Sequence, residues 1–142
     1  MSHLVLDSSI VAKWILPEAD SDRARELIPD ATAAGERLYV VDLALSETAN
    51  AIWKRCHRGL ITSAAARRLL TRLLRVPVEL RSSMDLLESA LEIAIDYDRS
   101  IYDALFVALA HDLQLPGVTA DEPLWRAVHV NFPNISLLRD WS

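Results

Sequence analysis

The chain has 142 residues, half of them hydrophobic and a quarter charged, with a net charge of −5, a composition that fits a soluble globular domain better than a typical nucleic-acid-binding protein. No apolar run approaches the roughly 18–20 residues of a membrane span, and the first residues lack a secretory signal pattern, so a cytoplasmic protein is predicted. The single cysteine excludes an intrachain disulfide framework, and four histidines without a thiol cluster do not favour a zinc site.

Short β-like runs alternate with helical stretches along the chain. This alternation predicts an α/β fold with a mostly parallel sheet, in one domain over residues 1–142. The strands are predicted, in chain order, at Leu4–Leu6, Leu38–Val41, Val76–Leu80, Val118–Thr119 and Ile135–Leu138.

Capping residues and apolar periodicity predict helices between these strands. The first helix is expected to end at Pro17, and the second to begin near Asp20 and to break or kink at Pro29. Asp42 is predicted to cap a helix that runs to about His57. The later helices are predicted from Thr62 or Ser63 to Arg75, from Met84 to Tyr97, from Asp103 onward and from Pro123 to Val130.

The charge is unevenly distributed along the chain. Residues 48–82 contain eight basic residues and one acidic residue, so this segment carries +7 and the rest of the chain −12. Arg68, Arg72 and Arg75 share one face of a predicted helix at spacing i, i+4, i+7. A basic flank beside acidic residues favours a phosphate polymer as ligand, which these three arginines would contact. A solvated helix face is an equally open interpretation.

Four acidic residues lie where an apolar run meets the start or first turn of a predicted helix: Asp7, Glu47, Asp103 and Asp121. The carboxyl ends of parallel strands gather at one edge of the sheet, where α/β proteins place ligands. Carboxylates crowded at that edge repel one another unless a cation offsets their charge. A divalent metal held by oxygen ligands is therefore predicted.

Each acid also has a purely structural interpretation, which the sequence leaves open. Asp7 and Asp121 could cap the helices that follow them. Asp103 could complete a capping box with Ser100 at the mouth of an apolar helix. Glu47 has no basic residue three or four positions later in the sequence and could simply face solvent.

The ordered set of these motifs resembles the PIN-domain ribonucleases, and within them the VapC-type toxins of bacterial toxin–antitoxin pairs. Val5–Ser9 resembles the family's first motif, a strand followed by Asp-x-Ser, and Leu43–Glu47 resembles its second, a helix that carries a glutamate. Ser100–Ala104 and Val118–Asp121 resemble the third and fourth. The resemblance covers nearly the whole chain.

The resemblance implies a three-layer α/β/α fold and an endoribonuclease that uses Mg²⁺ or Mn²⁺. Hard divalent cations prefer carboxylate oxygen, so Asp7, Asp103 and Asp121 are expected to bind the metal directly or through water. Glu47 is expected to be a further ligand or to orient the attacking water. Arg68, Arg72 and Arg75 become candidate RNA contacts.

Supporting residues and partners follow from the same resemblance. Ser9 and Thr119 are expected to hydrogen-bond the carboxylates or a substrate phosphate. The family usually forms homodimers and is held inactive by a small cognate antitoxin, so both partners are expected here, together with RNA.

Three other classes of protein carry acids in an α/β domain. A phosphoaspartate receiver needs an acidic pair after the first strand and a late lysine, yet no lysine follows Lys54. A phosphatase of the haloacid-dehalogenase type needs Asp-x-Asp, and Ser9 stands where the second aspartate would be. A non-catalytic PIN-like module that binds RNA or protein stays open, although the complete acidic set argues against it.

Overall fold

A computed structural model describes residues 3–16 and 21–141. Five strands form one sheet in the order β3-β2-β1-β4-β5, and every neighbouring pair is parallel. They are β1 (Leu4–Leu6), β2 (Leu38–Val41), β3 (Glu79–Arg81), β4 (Gly117–Thr119) and β5 (Ile135–Leu137). The predicted α/β fold with a parallel sheet is thereby confirmed.

Seven α-helices connect or follow these strands in the described part of the chain. They are α1 (Ser8–Ile15), α2 (Ser21–Ala33), α3 (Leu43–His57), α4 (Ser63–Leu73), α5 (Leu87–Tyr97), α6 (Ile101–Leu113) and α7 (Glu122–Val128). Single 3₁₀ turns occur at Met84–Leu86 and Leu138–Asp140. Among residues 3–16 and 21–141, no helix combines the length and apolar character needed to cross a membrane.

The helices form two layers because neighbouring residues of each strand point to opposite faces of the sheet. Leu4 and Leu6 pack on the face covered by α1 to α4, whereas Val5 packs on the face covered by α5 to α7. In β2, Leu38 and Val40 pack on the first face, whereas Tyr39 and Val41 pack on the second. Two apolar cores therefore enclose the sheet, as the predicted three-layer arrangement requires.

The order in which strands are added to the sheet reverses at β1, in the centre of the sheet. The chain moves outward from β1 through β2 to β3, and then returns to pair β4 on the other side of β1. In open α/β sheets, ligands bind outside the carboxyl ends of the strands at such a reversal. Asp7 immediately follows β1, and Asp121 lies two residues beyond β4, so both lie at this edge.

The third strand differs from its prediction of Val76–Leu80. It begins at Glu79, and all three of its residues are exposed, because it is an edge strand that pairs only with β2. Val76 is instead buried in the connection that follows α4. Pro77 has no amide donor for a sheet ladder, which explains the later start of the strand.

The predicted cap by Asp42 is wrong, and so is the predicted break at Pro29, whereas the alternative prediction of a kink at Pro29 stays a prediction. Asp42 precedes α3 but makes no side-chain cap; its carboxylate accepts a hydrogen bond of 3.2 Å from the Ser83 amide and so ties the end of β2 to the turn after β3. Pro29 lies inside α2 rather than breaking it. The predicted roles of Pro17 and Asp20 fall outside the described residues.

Candidate active site

The four predicted acids line one cleft of about 290 Å³ at the carboxyl edge of the sheet. Asp7 comes from the end of β1, Glu47 from α3, Asp103 from the first turn of α6 and Asp121 from the start of α7. These positions are far apart in sequence, and the fold brings them together around the centre of the sheet.

Asp7 is the most buried of the four acids, with 6% of its surface exposed. One carboxylate oxygen caps α1 by accepting from the Ser8 amide at 2.9 Å. The other accepts from the hydroxyls of Ser9 at 2.8 Å and Thr119 at 2.7 Å. The structural and the functional interpretations of Asp7 are therefore compatible, because one carboxylate can cap α1 and also line the cleft.

Burial raises the pKa of Asp7 to about 6, although the hydroxyls of Thr119 and Ser9 act in the opposite direction. The neighbouring charges of Asp103 and Asp121 raise the pKa further. A buried carboxylate that faces two more carboxylates has a strong electrostatic reason to hold a proton or a cation.

Thr119 links the ends of β1 and β4 and is fully buried. Its hydroxyl donates to Asp7 and accepts from the Asp121 amide at 3.0 Å. Ser9 makes a parallel link, because its hydroxyl also donates to Asp7 and accepts from the Ala120 amide at 3.0 Å. Both predicted supporting residues thus hold the Asp7 carboxylate against the strand that leads to Asp121.

Thr119→Val should therefore destabilise the protein by about 3 kcal/mol, because a carboxylate loses a donor and a half-buried amide loses its acceptor. Thr119→Ser is the matched control, since it keeps the hydroxyl and loses only a methyl group. Urea unfolding followed by circular dichroism measures both variants. Equal stability of the valine and serine variants would contradict a structural role for this hydroxyl.

Asp121 caps α7, since one of its carboxylate oxygens accepts from the Leu124 amide at 3.1 Å. Pro123 occupies the first turn of that helix, where its missing amide costs nothing. The cap prediction for Asp121 is confirmed, and the residue also lines the acidic cleft.

Asp103 forms half of the predicted capping box. The Ser100 hydroxyl accepts from the Asp103 amide at 3.1 Å, but the Asp103 carboxylate pairs with Arg99 instead of reaching back to Ser100. Two nitrogens of the Arg99 guanidinium contact the same carboxylate oxygen, the nearer at 3.0 Å. Burial raises the pKa of Asp103, and Arg99 opposes that shift.

Sequence reasoning missed Arg99. The available signal was a basic residue four positions before a predicted metal ligand, on the loop that leads into α6. Both side chains of the pair are about three-quarters buried, so the pair is shielded more than an ordinary surface ion pair.

Glu47 lies one turn into α3 on the wall of the cleft. Partial burial raises the pKa of Glu47 to about 7, with further contributions from the charges of Asp7 and Asp103 and an opposing hydrogen bond from Ser8. A carboxylate with a pKa near neutrality is suited to accept a proton during catalysis.

The donor set fits a hard divalent cation, because the cleft presents carboxylate oxygens and no thiol or imidazole among its described lining residues. As the side chains stand, no group of three His, Cys, Asp or Glu residues within the described ranges is arranged to hold a metal ion. The Asp7 carboxylate accepts hydrogen bonds from two hydroxyls, and the Asp103 carboxylate accepts them from the Arg99 guanidinium. Binding of a cation would therefore require some of these side chains to rotate.

The basic face of α4 lies outside the acidic cleft. Arg68, Arg72 and Arg75 are exposed on or just after α4, and none of these three described residues lines the acidic cleft. Their predicted contact with RNA would therefore be made outside the cleft.

Comparison with known proteins gives a family match over most of the chain. The PIN domain family matches residues 4–129. Ribonuclease VapC3 of Pyrobaculum aerophilum is 32% identical over 123 residues, which are 85% of this chain and 91% of that protein.

Two solved structures share the fold. The Pyrobaculum aerophilum protein PAE2754 superposes with a TM-score of 0.71 at 22% identity, covering 97% of this chain and 92% of that one. A toxin–antitoxin complex from Klebsiella pneumoniae gives a TM-score of 0.67 at 15% identity, with 95% and 97% of the two chains covered.

Proposed function

The chain belongs to the PIN domain family, and from this premise we propose that it is an endoribonuclease that acts as the toxin of a toxin–antitoxin pair. The observation that carries the proposal is the cleft in which Asp7, Glu47, Asp103 and Asp121 meet. Support comes from the relative named Ribonuclease VapC3 and from the fold shared with a toxin–antitoxin complex. The family match leaves no support for a receiver domain or a haloacid-dehalogenase-type phosphatase.

We assign Asp7, Asp103 and Asp121 to a divalent metal, Mg²⁺ or Mn²⁺, with Glu47 as a further ligand or as the group that orients water. When bound, such a cation neutralises charge on the phosphoryl oxygens and makes a water molecule more acidic. Ser9 and Thr119 hold the Asp7 carboxylate in place. Arg99 holds one oxygen of Asp103, so this pair would have to rearrange for Asp103 to bind the metal.

Glu47 is the group best suited to handle the proton of the attacking water. Its pKa of about 7 allows it to exist in both protonation states under neutral conditions. Asp7 and Asp121 each cap a helix and Asp103 pairs with Arg99, whereas the partner of Glu47 is the Ser8 side chain. Hydrolysis by this route adds the oxygen of water to phosphorus and releases the departing ribose oxygen with a proton.

Total cellular RNA tests the proposal directly. Purified protein should produce discrete fragments with Mg²⁺ or Mn²⁺ and none with EDTA, and Asp103→Asn should produce none with either metal. Glu122→Gln is a control, because Glu122 pairs with Arg126 and Arg139 outside the cleft. A folded protein that cuts nothing with any metal would favour the second candidate, a non-catalytic PIN-like binding module.

That second candidate has one observation in its favour. The acidic side chains of the described residues are not arranged to hold a metal as they stand. A module that only binds RNA or protein needs no cation. The cleavage assay separates the two functions, because only the nuclease responds to EDTA.

A homodimer would use the face of α5 that points to solvent. Leu87, Leu91 and Ile95 recur there at the spacing of one helix turn and are 46%, 55% and 71% exposed. A row of exposed apolar side chains on one helix face is typical of a protein–protein interaction surface. Ile95→Lys should yield a monomer in light scattering, whereas Val130→Lys, at a residue beyond α7 that is 77% exposed, should not. An unchanged mass for Ile95→Lys would exclude this face.

Three further assignments complete the proposal. We place the protein in the cytoplasm, together with a small antitoxin whose addition should stop RNA cleavage.

We assign Arg68, Arg72 and Arg75 to RNA phosphates outside the cleft. Replacing all three arginines by glutamine should reduce the salt dependence of RNA binding, and an unchanged dependence would leave them as a solvated helix face.

A further inference from the structure

A second and larger pocket opens beside the acidic cleft. Its volume is about 520 Å³, within the range of pockets that hold small ligands, about 300–1,000 Å³. The two pockets share Glu47 and Ala51 as a common wall. A polymer that places one phosphate among the acids would therefore place a neighbouring unit in this second pocket.

The wall of the second pocket carries groups that suit a nucleotide. Glu47, Asn50 and Lys54 lie on one face of α3 at spacing i, i+3, i+7, which separates the first from the last by roughly 10 Å along the helix axis. Lys54 is the one basic side chain among the described residues that line the pocket. Asn50 offers both a donor and an acceptor.

Tyr102 lines the pocket from α6 and is 53% exposed. Its neighbour in the chain is Asp103, which lines the acidic cleft. An exposed aromatic ring beside a catalytic cleft provides a face on which a base can stack.

We propose that this pocket binds one unpaired nucleotide of the RNA substrate, adjacent to the phosphate in the acidic cleft, with its base against Tyr102 and its phosphate near Lys54. Asn50 would hydrogen-bond the edge of the base. This inference rests on the proposed function and adds to it a substrate class, because a base paired within a duplex cannot present its face to Tyr102.

Fluorescence anisotropy tests the pocket with a labelled single-stranded RNA of randomised sequence, about 12 nucleotides long. The protein carries Asp121→Asn and is measured with Mg²⁺, so that the probe is not cut. Adding Tyr102→Ala should weaken binding about tenfold, because stacking of one base is lost. Adding Lys54→Gln should weaken binding and also lower the slope of log affinity against log salt by about 0.7, as expected for one lost phosphate contact.

Trp53→Ala is the matched control for Tyr102→Ala. Trp53 is 54% exposed on the same α3 helix but lines a different groove, with Cys56 and Leu70. It should leave the affinity unchanged, and Tyr102→Phe should retain most of it. Thermal unfolding checks that every variant is folded.

The outcomes separate this inference from the proposed function. If the wild-type protein cuts RNA but Tyr102→Ala and Lys54→Gln bind the probe as tightly as Trp53→Ala, the nuclease stands and the nucleotide pocket is wrong. The pocket would then be free for a side chain of a protein partner. If the wild-type protein does not cut RNA and the Asp121→Asn protein does not bind the probe, both fail.

Discussion

Asp7→Asn should remove the loss of stability that the wild-type protein shows between about pH 4 and about pH 6, and should reduce RNA cleavage by about 1,000-fold, a loss of about 4 kcal/mol in transition-state stabilisation. The activity falls because the proposed metal loses its most buried carboxylate ligand. The pH dependence disappears because an amide does not titrate. Asparagine keeps the cap of α1, since it is as good an N-cap as aspartate, but its amide nitrogen cannot accept the hydroxyl hydrogen bonds from Ser9 and Thr119.

The stability effect has a defined sign and pH window. The pKa of Asp7 is about 6 in the folded protein, against an ordinary value of 3.8. The folded state therefore binds the proton more tightly than the unfolded state, so the wild-type protein loses stability as the pH rises from about 4 to about 6. Asp7→Asn removes this loss, so the stability of the variant relative to the wild type should rise by about 2–3 kcal/mol between about pH 4 and about pH 6.

Thermal unfolding of both proteins across this pH range, without divalent metal, measures the difference. Glu122→Gln serves as the contrast, because Arg139 and Arg126 lower the pKa of that carboxylate, so its removal should reduce stability at neutral pH and not in acid. An Asp7→Asn variant that loses stability between about pH 4 and about pH 6 as the wild type does would contradict burial of an ionised carboxylate at this position. Full activity in the variant would remove Asp7 from the metal site.

Mn²⁺ should bind about 100-fold more tightly at pH 8 than at pH 5.5, because ligand carboxylates must release their protons before they bind a cation. The pKa values of about 6 for Asp7 and about 7 for Glu47 place this rise in the mildly acidic range. Ordinary surface carboxylates are fully ionised by pH 5.5 and would give almost no rise over the same interval.

Glu47→Gln tests whether Glu47 makes the larger contribution to the pH dependence of Mn²⁺ affinity. With Glu47 neutral, its proton no longer competes with the metal, so the rise should fall to about fourfold over the same interval, the part that the pKa of about 6 for Asp7 explains. Isothermal titration calorimetry measures both the affinity and the number of protons released, by comparison of two buffers. A pH dependence that is the same in Glu47→Gln and the wild type would mean that Glu47 is not coupled to the metal.

Much of the fold could be predicted from the sequence because strand alternation and cap residues are local signals. Thr62, Ser100 and Asp121 each cap the helix that follows them. Asp42 looked like a cap of the same kind, but its carboxylate bonds the Ser83 amide. That amide belongs to the turn after a neighbouring strand, so no local pattern could have indicated it.

The candidate site could be predicted only in part, because some of its properties also depend on contacts between distant parts of the chain. Asp7, Glu47, Asp103 and Asp121 could be located from strand ends and family motifs, and all four line one cleft. Their ionisation could not be predicted, since it depends on burial and on the distances among side chains that the fold brings together. The pair between Arg99 and Asp103 likewise depends on the rotamers chosen at the entrance to α6.

The apolar stripe of α5 shows a different limit. Leu87, Leu91 and Ile95 are in register in the sequence, and such a stripe usually faces the core. In the structure the core is filled by Ala90 and Ile93 instead, and the stripe faces solvent. Periodicity identifies an apolar face, but it does not indicate whether the same chain or a second copy covers it.

A crystal structure with Mn²⁺, located by its anomalous scattering, would show whether the acidic cleft binds metal. We expect strong anomalous density in the cleft, with Asp7, Asp103 and Asp121 turned toward it and the bond from Arg99 to Asp103 rearranged. An empty cleft at saturating Mn²⁺, with the Arg99 pair and the hydroxyl bonds to Asp7 unchanged, would contradict a metal-dependent nuclease and leave a binding module.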